Sequence, residues 1–87
     1  MGTYERSGPT PAATVILAIP GLTGFEVLMV RRPPGGIFGG IWVFPGGVVD
    51  TSDRESPSDL SDRAHRRAAV RELVEETGIA LDISGLA

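Results

Sequence analysis

No cysteine occurs among the 87 residues, which excludes both a disulfide framework and a thiolate metal site. Lysine is missing too. All eight basic residues are arginines, set against eleven acidic ones, and the formal net charge is −3. An acidic chain without a basic stripe speaks against a partner of duplex nucleic acid. No apolar run is long enough to cross a bilayer; the longest, residues 12–22, contains Pro20, so no membrane partner is expected. Residues 1–11 lack the basic and apolar regions of a secretory signal, and Arg6 stands where a myristoylation pattern needs Ser or Thr. The default compartment is the cytoplasm. Gly35-Gly36 and Gly39-Gly40 form neither a Walker A loop nor a G-x-G-x-x-G turn, so a nucleotide P-loop is not supported. At this length the chain is one small domain whose single core is only marginally sufficient.

What is present reads as strands followed by one helix. Residues 1–11 are a mobile leader, and the domain occupies residues 12–87. Residues 12–19 are rich in β-branched and aliphatic side chains, which predicts a buried strand. Pro20 to Gly24 is a turn and residues 25–31 a second strand, so the two form a hairpin. Residues 33–36 break the chain. A third strand covers residues 40–44, with Trp42, alternating with Phe44, read as core, and Val48-Val49 allows another short strand. Ser56-Pro57 and Ser61 are competing helix starts. Ala64, Ala68, Ala69 and Leu73, with Leu60 beside them, make the packing side of a helix ending near Thr77. Residues 81–83 begin another strand.

That helix ends in a run that local physics disfavours. Glu72, Glu75 and Glu76 stand at i, i+3 and i+4, so their carboxylates share one face. Gly78 then supplies a left-handed stop. The last turns carry the negative end of the helix dipole, where a cation is preferred. Like charges at this spacing cost about 0.2–0.5 kcal/mol per pair. An acidic face can simply be solvated. A bound divalent cation is the other compensation, and a local rule broken in one place points to a site there. Upstream, Phe44-Pro45-Gly46-Gly47 follows the apolar run 41–44 and reads as a strand leading into a turn where backbone can approach a ligand closely.

Strand, glycine turn and carboxylate-bearing helix, in that order, resemble the box of the Nudix hydrolase family, G-x5-E-x7-R-E-U-x-E-E-x-G-U with U a bulky aliphatic. Arg71, Glu72, Leu73, Glu75, Glu76, Gly78 and Ile79 match its second half at every fixed position. In the first half, five residues after Gly47 lead to Asp53, an aspartate where the family has glutamate. Residues 54–70 then separate Asp53 from Arg71, an insertion of about ten residues, roughly 54–63, relative to the pattern. Its polar composition and Pro57 suit a longer loop or an extra turn. The resemblance implies an α/β fold, a Nudix-type α/β/α sandwich around a mixed sheet. Only the N-terminal portion through the Nudix helix is expected here, because more strands and a second helix follow the box in that fold.

The resemblance also implies the chemistry, a metal-dependent pyrophosphohydrolase acting on a diphosphate linked to another moiety. Mg²⁺ or Mn²⁺ suits carboxylate and carbonyl oxygens. By resemblance Glu72, Glu75 and Glu76 bind the metal, with the Gly46 carbonyl as an added ligand, and Glu72 is alternatively the general base. Arg71 is an orienting residue paired to Asp53, although a surface pair with Glu75 at i,i+4 is its plainer reading. Arg31, Arg32 and Gly47 are candidates for substrate phosphates, solvated strand-end arginines being the alternative for the first two. Asp53 and Gly78 are structural supports, and His65 is read as a surface residue. Arg31, Gly40 and the F-P-G-G run resemble the coenzyme A diphosphatase branch, which uses L-L-T-x-R-[SA]-x3-R-x3-G-x3-F-P-G-G. Met29, Arg32 and Gly36 depart from it. The expected partner is a small-molecule diphosphate, with a homodimer left open. A non-catalytic nucleotide-binding or regulatory module is the alternative, and the 87 residues alone are expected to hydrolyse poorly.

Overall fold

The computed structural model describes residues 10–36 and 39–86. Most of the leader expected at residues 1–11 lies outside them. The helix α1 (Asp62–Thr77) organises the rest. It starts at Ser61, whose extended backbone lets Oγ accept the Ala64 N–H at 3.1 Å. Ser56, the competing start, falls in a turn closed by the Asp59 N–H on the Ser56 carbonyl at 3.0 Å. The helix ends at Gly78, left-handed at φ 79°, whose N–H returns to the Val74 carbonyl at 2.8 Å. Ala64, Ala68, Ala69 and Leu73 are all buried, one stripe at helical spacing. Leu60 precedes the cap and is exposed. The insertion is therefore a loop with turns over residues 54–60, followed by the cap and the first helical residues.

The strands are shorter than their composition suggests. β1 (Ala12–Thr14) runs antiparallel to β6 (Gly46–Val48), pairing Ala12 with Val48, Ala13 with Gly47 and Thr14 with Gly46. β2 (Ala18–Pro20) and β3 (Phe25–Val27) form the expected hairpin, pairing Pro20 with Phe25. β4 (Val30–Arg31) pairs with β5 (Trp42–Val43). Hence residues 12–19 are not one buried strand: Val15 is buried, whereas Ala18, Ile19 and Pro20 are exposed. Residues 25–31 divide likewise, interrupted at Leu28 and Met29. The reason is coverage. Of the strands, α1 packs chiefly on β1 and β6, and among the described residues no helix lies over β2, β3 or β5.

The same absence of cover corrects Trp42, which is exposed rather than core; Phe44 is exposed as well. Gly46 and Gly47 belong to β6 and not to a turn, because their backbone pairs with β1. Val48 ends that strand and Val49 is buried next to the helix. Residues 81–83 form no strand. Leu81 packs on the core, and Asp82 caps a 3-10 turn, Ile83–Gly85, by accepting the Ser84 N–H at 3.2 Å. The core is thin: Val15, Ala69 and Leu73 form one cluster, Val49, Ala64 and Ala68 another, bridged by Ala13. Small residues along the helix let α1 lie close to β1 and β6, and that proximity builds the site. Among the described residues no helix is long and apolar enough to cross a membrane.

Candidate active site

Two glycines set the distance between sheet and helix. A Cβ on Gly46 would overlap the Ala13 carbonyl and the Thr14 backbone, so β6 can approach β1 only with glycine there. A Cβ on Gly47 would land on the Glu72 carboxylate. Their absence lets helix carboxylates reach the strand backbone. The Gly46 N–H donates to Glu76 Oε1 at 2.9 Å, a charge-assisted bond that holds Glu76 over β6. This N–H contact lies outside the expectation for Gly46, which concerned its carbonyl.

Arg71 is the hub of the site. Its Nε donates to Asp53 Oδ1 at 3.0 Å and its Nη2 to Asp53 Oδ2 at 3.0 Å, the bidentate pairing its position promised. Nη2 also reaches the Val48 carbonyl at 3.0 Å. Nη1 donates to Glu72 Oε1 at 2.6 Å and to Glu75 Oε1 at 3.0 Å. Both readings of Arg71 are thus realised, but with unequal weight. The Asp53 side chain is 4% exposed and the Glu75 side chain 56%, so solvent screens the second pair and not the first. Burial by itself pushes the Asp53 carboxyl up; the Arg71 hydrogen bonds, the Asp50 N–H at 2.8 Å and the nearby Arg71 and Arg54 charges outweigh it and hold it below the usual carboxylate range. The same hydrogen bonds push the Arg71 guanidinium up, against the opposing effect of burial.

Asp53 owes its place to a short 3-10 turn, Thr51–Asp53, capped by Asp50. Asp50 Oδ1 accepts the Thr51 N–H at 2.7 Å, while Asp53 Oδ2 accepts the Asp50 N–H, a reciprocal capping box. Asp50 was not singled out from sequence, although the spacing Asp50-Thr51-Ser52-Asp53 carries that signal. The box fixes an aspartate where the side chain, one methylene short of glutamate, still meets Arg71.

The remaining candidates divide by position. A cleft of about 740 Å³ is lined by Arg31, Arg32, Gly46, Gly47, Glu72 and Glu76 together with residues of β1 and Val43 of β5. Glu75 is not among the residues that line it. Arg31 is steered by Nε donating to the Gly40 carbonyl at 2.9 Å, with Gly40 at φ 84°. Arg32 has no ion-pair partner among the described residues. His65 is half-buried, with Nδ1 2.9 Å from the Ser61 carbonyl in its own first turn. Among the described residues no three carboxylates or histidines converge on one point. The cause is visible: Arg71 Nη1 lies between Glu72 and Glu75, and the Gly46 N–H holds Glu76. Each of the three carboxylates keeps Oε2 free of hydrogen bonds from the described residues. The donor chemistry, hard carboxylate oxygens on one helix face, suits a hard divalent cation, although in this arrangement the three carboxylates do not meet at one point.

Comparison with known proteins agrees with this geometry. The family model described as NUDIX domain matches residues 8–86. The protein named nudix hydrolase 7 of Caenorhabditis elegans is 44% identical over 69 residues, covering 78% of this chain and 21% of that protein. Human adenine DNA glycosylase is 37% identical over 43 residues, covering 49% of this chain and 8% of its own length. The crystal structure of a NUDIX hydrolase from Alicyclobacillus acidocaldarius superposes with a TM-score of 0.72 at 31% identity, over 88% of this chain and 40% of that one. The chain therefore spans less than half the length of each of these relatives. With a partial α/β Nudix fold, a matching family model and the Arg71–Asp53 brace in place, the chain belongs to the Nudix family.

Proposed function

We propose that this chain carries the metal face and part of the phosphate-binding cleft of a Nudix pyrophosphohydrolase. Glu72, Glu75 and Glu76 would hold Mg²⁺ or Mn²⁺, with the Gly46 carbonyl added from β6. Such a cation would supply charge relief to phosphoryl oxygens and make water a better nucleophile. The protein's own groups do the rest. Arg71, braced by Asp53, fixes Glu72 and Glu75 in register. Arg31 and Arg32 receive phosphoryl oxygens across the cleft as bidentate donors. Water oxygen forms a bond to one phosphorus, the bridging P–O bond breaks, and the bridging oxygen leaves on the other phosphate. The proton lost by water passes to a carboxylate; Glu72, 19% exposed and against Gly47, takes that role only as the alternative to its place among the metal ligands, because its Oε1 is already held by Arg71.

The observation that carries this reading is the shared cleft: two arginines, two glycines and two of the three box glutamates line one space. The substrate class is a nucleoside diphosphate derivative. A coenzyme A-type diphosphate is the first to assay, because Arg31, Gly40 and Phe44 to Gly47 fit that branch. The test is hydrolysis of a panel of capped diphosphates by the purified protein, followed by ³¹P NMR with and without Mg²⁺ or Mn²⁺. Metal-dependent release of phosphomonoesters supports it. Slow turnover is compatible with it, since the chain spans only part of its relatives' length. The absence of both turnover and metal-dependent binding for every panel member rejects it, and metal-dependent binding with no detectable turnover favours a nucleotide-binding module instead.

A further inference from the structure

The loop inserted between the two halves of the box is a built element with a charge of its own to place. Asp59 ties it from both sides, Oδ2 accepting the Glu55 N–H at 3.0 Å and Oδ1 the Ser61 N–H at 3.0 Å. The Ser56 carbonyl accepts the Asp59 N–H, closing the turn between them. Arg67 on the helix lies 3.8 Å from Glu55. At the loop's start stands Arg54, half-buried, its Nη1 donating to the Pro57 carbonyl at 3.1 Å. Its Nε is buried and finds no partner. Among the described residues no carboxylate lies within ion-pair distance of Arg54. A fixed, partly buried guanidinium with an idle donor is unusual, since buried polar groups normally find partners.

Arg54 lines a second cleft, about 580 Å³, with Asp50, Thr51, Arg71 and Glu72. Glu72 and Val48 also line the cleft that holds Arg31 and Arg32. Glu72 therefore lines both clefts, one with Arg54 and the other with Arg31 and Arg32. The charges that would oppose an anion next to Arg54 are already engaged. Asp50 is held by the Thr51 N–H and Oγ1, and Asp53 by Arg71. Arg71 in turn is saturated by Asp53, Val48, Glu72 and Glu75, which leaves Arg54 as the uncommitted cation of this cleft.

We propose that the insertion exists to hand Arg54 to the site, where it binds the phosphoryl oxygens of the substrate half that lies across Glu72 from Arg31 and Arg32. The proposal rests on the pyrophosphohydrolase reading and adds a specificity-determining residue to it. With arginines in both clefts that Glu72 lines, each phosphoryl group of the diphosphate meets a guanidinium, so affinity for the diphosphate itself depends on Arg54.

Calorimetric titration with imidodiphosphate, a non-hydrolysable diphosphate, tests this in the purified protein, R54Q and R54K, with and without Mn²⁺. Mn²⁺ alone is titrated in parallel, and the helix dichroism is recorded for each variant. The expected result is about tenfold weaker imidodiphosphate binding in R54Q, the weight of one charge-assisted hydrogen bond. R54K falls between, and Mn²⁺ affinity stays that of the parent. Binding in folded R54Q within twofold of the parent, under both conditions, overturns the proposal, as does a parent that binds no imidodiphosphate. Should R54Q lose its helix signal, R54K decides: parental affinity without the guanidinium fork overturns it. Arg54-dependent imidodiphosphate binding in a protein indifferent to Mn²⁺ would sink the metal face and leave the Arg54 assignment standing.

Discussion

Asp53→Asn removes one charge and keeps the shape, and its cost follows from which hydrogen bonds an amide cannot make. Asp53 Oδ2 accepts from the Asp50 N–H and Arg71 Nη2, and Oδ1 accepts from Arg71 Nε. An asparagine must present its NH₂ to one of these sides, so at least one donor faces another donor. The side chain is 4% exposed, and no water replaces the lost acceptor freely. Breaking a buried pair costs about 3–5 kcal/mol. The lower end applies here, about 3 kcal/mol, because Arg71 is 24% exposed and keeps Glu72 and Glu75. A chain of this size has a total stability of roughly 4–13 kcal/mol, so the loss is a large fraction. Urea unfolding followed by dichroism of α1 measures it; Trp42, at 61% exposure, is a poor fluorescent reporter. The midpoint should fall by about 1 M or more. A double-mutant cycle with Arg71→Gln should return a coupling above about 1 kcal/mol. A stability change under about 1 kcal/mol, or coupling near zero, would refute the brace as the anchor of the site.

The two box glycines should fail differently. In Gly46→Ala the new methyl meets the Ala13 and Thr14 backbone, which cannot yield, so a thermal melt should show the larger loss of stability. In Gly47→Ala it meets the end of the Glu72 side chain, which can rotate away; the fold should survive while metal affinity drops, and a swapped order of effects would contradict the packing given for β6. Ser61→Ala removes the Oγ acceptor of the Ala64 N–H and should cost about 1 kcal/mol in the same urea assay, whereas Ser56→Ala should cost nothing measurable. Acid titration should expose the lowered carboxylates. Asp59 is held down to about 2, chiefly by the Glu55 N–H and then by the Ser61 hydroxyl and N–H, and Asp53 is lowered as well. A folded-state pKa below the unfolded one contributes stability above pH about 4 and loses it as pH falls through the folded value. The window for Asp59 is therefore about pH 4 to 2, and Asp59→Asn should flatten the dichroism-monitored acid limb there.

How much of this was legible depended on whether local sequence or distant cover decided the outcome. The helix was readable because its signals are local: Ser61 to cap it, alanines at helical spacing to pack it, Gly78 to stop it. The Arg71–Asp53 pair followed from motif spacing despite the insertion, since a charge buried at that depth needs its partner wherever the loop leads. Strand burial was not readable. An apolar run such as residues 12–19 looks the same whether a helix covers all of it or, as here, only the part through Val15. Trp42 was misjudged for the same reason. Gly46-Gly47 resembled a turn because glycine serves both turns and close backbone approaches, and only the position of β1 and Glu72 separates the two. Arg54 carried no sequence signal, being one arginine in a polar loop until the fold set it in a cleft with Glu72.

The claim that Glu72, Glu75 and Glu76 form a metal face is tested most directly by titrating Mn²⁺ into the protein and reading free Mn²⁺ by electron paramagnetic resonance. The parent protein should deplete the free-ion signal at a defined stoichiometry. Glu75→Gln and Glu76→Gln should each weaken that binding at least tenfold while keeping the helix dichroism. Their apo stability should be unchanged or slightly raised, because one like charge leaves the crowded helix end. A parent that leaves the Mn²⁺ signal untouched, or variants that bind as tightly as the parent, would contradict the metal face.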